Sequence, residues 1–130
     1  MFDYCVIGAG VVGGLIAREL TRYTGSVVLV ERESDVAMGA TRANSAIVHA
    51  GFDAHEGTLK ACLNVRGAAM MPALTKELGV RYDPCGSLVV GFSEEDRKTL
   101  SELLTRGERN GVPGLKLLDR EQVLAMEPNI

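Results

Sequence analysis

The run Val6-Ile7-Gly8-Ala9-Gly10-Val11-Val12-Gly13, almost at the start of the chain, limits what this sequence can fold into more than any other feature. Cys5-Val6-Ile7 predicts a short apolar strand. Gly8 then permits a tight turn, Gly10 leaves a backbone surface without a Cβ, and Gly13 lets the following helix pack close to the strand. Residues 12–23 predict that helix, with Leu15, Ile16 and Leu20 on one face. Gly25-Ser26 makes the next turn, and Val27-Val28-Leu29-Val30 reads as a buried parallel strand with Glu31 at its C-terminal end. Spaced glycines alone recur by chance; the strand before them, the helix after them and the terminal acid give the motif weight.

A βαβ unit of this kind suits a dinucleotide. The helix N-terminus offers unpaired N–H groups and partial positive charge to a pyrophosphate. The acid at the end of the second strand accepts hydrogen bonds from ribose hydroxyls, and it serves NAD and FAD equally. A glycine-rich βαβ unit that holds no ligand is the other reading of these residues.

Composition narrows the field further. With 46% hydrophobic and 24% charged residues, the 130-residue chain is ordinary for a soluble domain with a real core. A net charge of −3 gives no basic field, so no nucleic-acid partner is expected. Cys5, Cys62 and Cys85 form an odd set without a CxxC, which fits reduced thiols and a cytoplasmic protein. No metal is expected, because His49 and His55 lack carboxylates at ligand spacing. Asp3 stands where a signal peptide would carry positive charge, and no run of about 18 apolar residues exists. Peripheral contact with the inner membrane face stays open.

Beyond Glu31, residues 32–57 read as a long loop rich in small residues, amides and hydroxyls, either ligand-contacting or a short helix with a surface loop. Thr58 caps a predicted helix reaching Leu78, with Leu59, Leu63, Met70, Leu74 and Leu78 on one side. Pro72 predicts a kink in it or two shorter helices. Strands are expected at Ser87–Phe92 and Leu115–Leu118. Ser93 with Asp96 marks a capping box for a helix ending near Asn110-Gly111, and Asp119 with Gln122 opens a last helix to about Met126. Only one βαβ unit is clear, so the expected fold class is α/β: an N-terminal piece of a Rossmann-like domain with helices and short strands of an adjoining substrate domain. The division falls at 1–57 and 58–130, and the rest of the polypeptide is expected beyond Ile130.

Residues Ala43-Asn44-Ser45-Ala46-Ile47-Val48-His49-Ala50-Gly51-Phe52-Asp53 and Gly57-Thr58-Leu59-Lys60-Ala61 resemble FAD-dependent oxidoreductases of the D-amino-acid oxidase superfamily. Within it they are most similar to bacterial FAD-dependent glycerol-3-phosphate dehydrogenases. Cys85-Gly86-Ser87-Leu88-Val89-Val90 and Asn110-Gly111-Val112-Pro113-Gly114-Leu115 fit as well. The L-2-hydroxyglutarate dehydrogenase/oxidase group is a close second. Ala46 departs from the pattern, which often has glycine there.

The resemblance implies FAD as cofactor, in preference to NAD. It implies that Gly8, Ala9, Gly10, Val11, Val12 and Gly13 hold the pyrophosphate, and that Glu31 and Arg32 hold the adenosine ribose. Thr41, Arg42, Asn44 and Ser45 would line the stretch toward the flavin, and His49, Ala50 and Gly51 would approach its ring. The implied reaction oxidises a small 2-hydroxy phosphate, sn-glycerol 3-phosphate to dihydroxyacetone phosphate, or a 2-hydroxy acid. Electrons would pass to a quinone or another acceptor. Imidazole titrates near neutrality, so His49 is the candidate base; its other reading is a structural histidine bonded to the flavin or nearby backbone. A reading of another class is a nucleotide-binding module without catalysis. The 130-residue piece alone is expected to bind FAD weakly or not at all and to turn nothing over; stoichiometric flavin on the purified piece would refute this.

Overall fold

Two four-residue strands and one helix build the first part of the computed structural model, which describes residues 1–130. Strand β1 (Tyr4–Ile7) and strand β2 (Val27–Val30) are joined through helix α1 (Val11–Leu20). The strands pair in parallel, with Tyr4 opposite Val27 and Ile7 opposite Val30. The Gly8 N–H extends the ladder to the Val30 carbonyl at 2.8 Å. At the other end the Asp3 carboxylate accepts from the Ser26 N–H at 2.8 Å and the Ser26 hydroxyl at 2.7 Å, fixing the register. Those bonds hold the Asp3 carboxyl below the usual carboxylate range.

Gly13 is the position where close packing decides the geometry. A Cβ there would run into the Gly8 carbonyl oxygen, so α1 lies against the end of β1 only because residue 13 is glycine. Gly8 itself has φ +97°, a conformation that a side chain disfavours.

The chain divides into two compact units, Met1–Ile47 and Val48–Ile130. The boundary lies ten residues before the Gly57 division read from the sequence, because the turn around residues 51–56 is bonded to helices of the second unit. That unit contains α2 (Leu59–Leu78), α3 (Glu94–Arg109) and α4 (Arg120–Met126). The Thr58 hydroxyl caps α2 at the Ala61 N–H. Reciprocal capping boxes open α3 at Ser93 and Asp96 and α4 at Asp119 and Gln122.

Three expectations are corrected. Of the two outcomes expected at Pro72, the split does not occur: α2 is one helix with Pro72 inside it, at the cost of the one backbone donor that proline lacks. Residues 87–92 and 115–118 form no strands, since a strand needs a hydrogen-bonded neighbour and only β1 and β2 pair. The expected core is thin: Ala9, Gly51, Ala54, Ala61, Thr75, Gly107 and Val112 are the buried residues. Leu59, Leu63, Met70 and Leu78 lie exposed, with neither α3 nor α4 packed on α2. No helix is long and apolar enough to cross a membrane.

Residues 32–57 contain turns and bends without a helix. Ala46 there has φ +54°, the left-handed region, and its N–H donates to the Asn44 side-chain oxygen at 2.7 Å. The glycine common at this position in the resembled pattern therefore has a backbone reason. Relief of a left-handed Cβ is worth about 1–2 kcal/mol, and the added freedom of an unfolded glycine costs about 0.4–1 kcal/mol. Ala46→Gly should therefore raise the urea midpoint, by the equivalent of about 0.5–1 kcal/mol at unchanged m-value.

Candidate functional site

In the first unit the glycine turn is held from three sides. The Glu31 side chain, at the end of β2, accepts the Ala9 N–H on Oε2 at 2.6 Å. Its Oε1 accepts the backbone N–H groups of Arg32 at 2.9 Å and Glu33 at 3.1 Å. The Ala9 carbonyl accepts the Ala37 N–H at 3.0 Å. The Thr41 hydroxyl accepts the Val11 N–H at 2.9 Å, capping α1 in place of Gly10, which has no side chain to do so. A Cβ on Gly10 would sit 3.1 Å from that hydroxyl oxygen.

These bonds leave a defined donor set. The first intrahelical donor of α1 is Gly14, whose N–H reaches the Gly10 carbonyl at 2.8 Å. The N–H groups of Val12 and Gly13 precede it, at the positive end of the helix. The Thr41 hydroxyl accepts from Val11 and can still donate its own proton. Backbone donors, a hydroxyl and a glycine face in one place suit phosphate oxygens.

The Glu31 carboxyl lies below the ordinary glutamate range, chiefly because the Ala9 N–H bonds to it, followed by the Glu33 N–H; desolvation acts weakly the other way. Oε1 has both lone-pair directions taken, whereas Oε2 carries one bond and keeps one direction for a hydroxyl donor.

The other expected residues of this unit are placed less closely. The Arg32 guanidinium turns to Glu33 at 3.0 Å and not to the Glu31 carboxylate. Asn44 Nδ2 donates to the Thr41 carbonyl at 2.6 Å, so its amide braces the loop carrying Thr41. Arg42 and Ser45 are exposed.

In the second unit His49, Asp53, Lys60 and Asn64 line one shallow pocket. Lys60 Nζ lies 3.7 Å from Asp53 Oδ2. Lys60 and Asn64 are four residues apart on α2 and so share its face. Gly51 is buried with φ +100°, and a Cβ there would press on Asn64 and Val65 at 3.0 and 3.2 Å. Ala50 is half-buried beside it.

Reasoning from sequence missed the far side of this turn. Asn110 Nδ2 donates to the Gly51 carbonyl at 3.0 Å and the Ala54 carbonyl at 2.8 Å. Arg106 reaches the Asp53 carbonyl at 3.3 Å. Gly107 of α3 is buried, with Phe52 and Leu115 where its side chain would be. The available signal was an asparagine next to glycine at a helix end, which read only as a helix stop.

A family model described as FAD dependent oxidoreductase matches residues 3–130. A glycerol 3-phosphate dehydrogenase of Caloramator mitchellensis is 52% identical over 130 residues, covering 100% of this chain and 27% of the relative. The mitochondrial L-2-hydroxyglutarate dehydrogenase of Homo sapiens is 37% identical over 129 residues, covering 98% and 28%. Among solved structures, dithionite-reduced L-alpha-glycerophosphate oxidase from Mycoplasma pneumoniae with FAD bound matches at a TM-score of 0.79 and 30% identity. That match covers 98% of this chain and 34% of the oxidase. The chain thus spans roughly a quarter to a third of the length of these relatives.

The Glu31 bonds give a pH signature. A depressed carboxyl contributes stability that is fully present above its unfolded value, about pH 4.3. That stability is lost as pH falls through the lower folded value. The urea-midpoint gap between wild type and Glu31→Gln should be constant at neutral pH and close progressively below about pH 4.3.

Proposed function

Because this chain belongs to the FAD-dependent oxidoreductase family, we propose that its first unit carries the adenosine and pyrophosphate half of an FAD site. The single observation that carries the proposal is the bonded glycine turn. Glu31, Ala37 and Thr41 hold residues 9–11 so that the free donors of α1 and the bare Gly10 face occur together. Gly8, Ala9, Gly10, Val11, Val12 and Gly13 then meet the pyrophosphate. Glu31 accepts a ribose hydroxyl on the free direction of Oε2, and Arg32 contributes its backbone N–H to orienting that carboxylate. Thr41 donates its hydroxyl proton toward a phosphate oxygen, while Arg42, Asn44 and Ser45 flank it. Ala50 and Gly51 offer backbone to the flavin ring.

When bound, the flavin supplies a hydride acceptor for a carbinol carbon. The protein's part is orientation, exclusion of water and placement of the hydroxyl proton. His49 either takes that proton or fixes the ring by a hydrogen bond, and a pH profile of His49→Gln separates the two.

The proposed reaction is oxidation of sn-glycerol 3-phosphate to dihydroxyacetone phosphate, with electrons leaving to a quinone or another acceptor. The 52% identity to a glycerol 3-phosphate dehydrogenase supports this substrate, as does the likeness to a glycerophosphate oxidase. The second reading, L-2-hydroxyglutarate oxidation, rests on relatives such as the human enzyme at 37% identity. The proposed location is the cytoplasm or the inner face of its membrane.

The full-length protein should be yellow and bleach anaerobically with sn-glycerol 3-phosphate. Bleaching by L-2-hydroxyglutarate alone moves the assignment to the second reading. Tightly bound AMP or ADP without flavin makes the chain a non-catalytic nucleotide module.

A further inference from the structure

The turn that follows His49 has no regular secondary structure, yet two of its members, Gly51 and Ala54, are buried. Its carbonyl groups therefore need partners that the turn cannot supply. One side chain supplies two of them. Asn110 Nδ2 carries two N–H donors, and the Gly51 and Ala54 carbonyls accept at 3.0 and 2.8 Å from a position 59 and 56 residues away in sequence.

Asn110 is itself rigidly mounted. It ends α3, and the turn behind it closes through Gly111 N–H to the Glu108 carbonyl and Val112 N–H to the Gly107 carbonyl, each at 2.9 Å. Gly111 takes the left-handed φ of +82° that such a closure requires. On the same helix Gly107 has no side chain, which lets Phe52 of the turn lie against the helix backbone. On the opposite side Gly51 is stopped by Asn64 and Val65 of α2. The turn is therefore gripped between two helices, and Asn110 is the polar part of the grip.

We propose that Asn110 is a positioning residue: by bridging the Gly51 and Ala54 carbonyls, it fixes where the Gly51 backbone and the His49 ring, two residues earlier, meet the flavin. The inference rests on the reading above that residues 49–51 approach the ring. Displacements of about 1 Å at a reacting centre can cost up to about a hundredfold in rate, so a side chain that never touches the flavin can control it.

Asn110→Asp tests this with almost no change of shape, because it replaces the NH2 group carrying both donors by an oxygen that repels the carbonyls. In the flavin-loaded protein, N110D should keep its flavin, shift the visible flavin band, and lose about tenfold or more in limiting rate of flavin reduction with a smaller change in KM. Asn110→Gln, which keeps the amide, should recover most of the rate and the spectrum. Arg109→Met, on the same helix as the Asn110 cap, removes an exposed ion pair to the Glu56 side chain without touching a turn carbonyl and should stay within about twofold. If N110D does not fold, Asn110→Ser, with one donor left, should show the same spectral shift and a smaller rate loss. The inference is overturned if N110D or Asn110→Ser has wild-type spectrum and rate per bound flavin, even with a lowered Tm. A wild-type full-length protein that binds no flavin refutes the functional reading itself, and this inference falls with it.

Discussion

The contact on which the first unit depends is the approach of Gly13 to the Gly8 carbonyl. With no Cβ at residue 13, the first turn of α1 lies directly on the end of β1. This puts the helix N-terminus at the mouth of the glycine turn. Any side chain there would lever the helix away from the strand and move the donors of Val12 and Gly13 with it. The Glu31 carboxylate then ties the turn to the end of the neighbouring strand, and Thr41 closes the helix end. Each bond locks something the Gly13 contact first brings within reach.

The second unit solves a comparable problem with different means. Its turn at residues 51–56 has neither a strand ladder nor helix bonds, so side chains from α3 satisfy its carbonyls while α2 limits it sterically. In both units an irregular segment bearing expected site residues is held by long-range side-chain bonds to backbone. A buried backbone group without such a partner costs about 1–3 kcal/mol, so these tethers select one conformation among many.

Local elements were legible in the sequence wherever their determinants are local. The βαβ unit follows from alternating apolar runs and glycines, and the caps at Thr58, Ser93 and Asp119 follow from residue type and spacing. Ser87–Phe92 and Leu115–Leu118 misled, because a short apolar run suggests a strand but does not supply a partner strand. At Pro72 only the split failed to occur: a 20-residue helix retains enough other backbone bonds to continue past one missing donor. The apolar side of α2 was read as a periodicity, and most of its residues lie exposed. Periodicity records which residues share a face, whereas burial requires another element to lie on it.

By itself the sequence determined the glycine turn, the acid at the end of β2, the helix caps and a resemblance to FAD-dependent oxidoreductases. All of these are written in residue identity over short spans, where steric freedom at glycine and the reach of a capping side chain decide the outcome. The tertiary structure alone decided that Glu31 spends its carboxylate first on the Ala9, Arg32 and Glu33 N–H groups, and that Thr41 caps α1 from thirty residues away. It alone brought Asn110 to the turn after His49. Those partners are set by how the chain returns on itself, and nothing in local spacing encodes which distant donor a buried carbonyl will find.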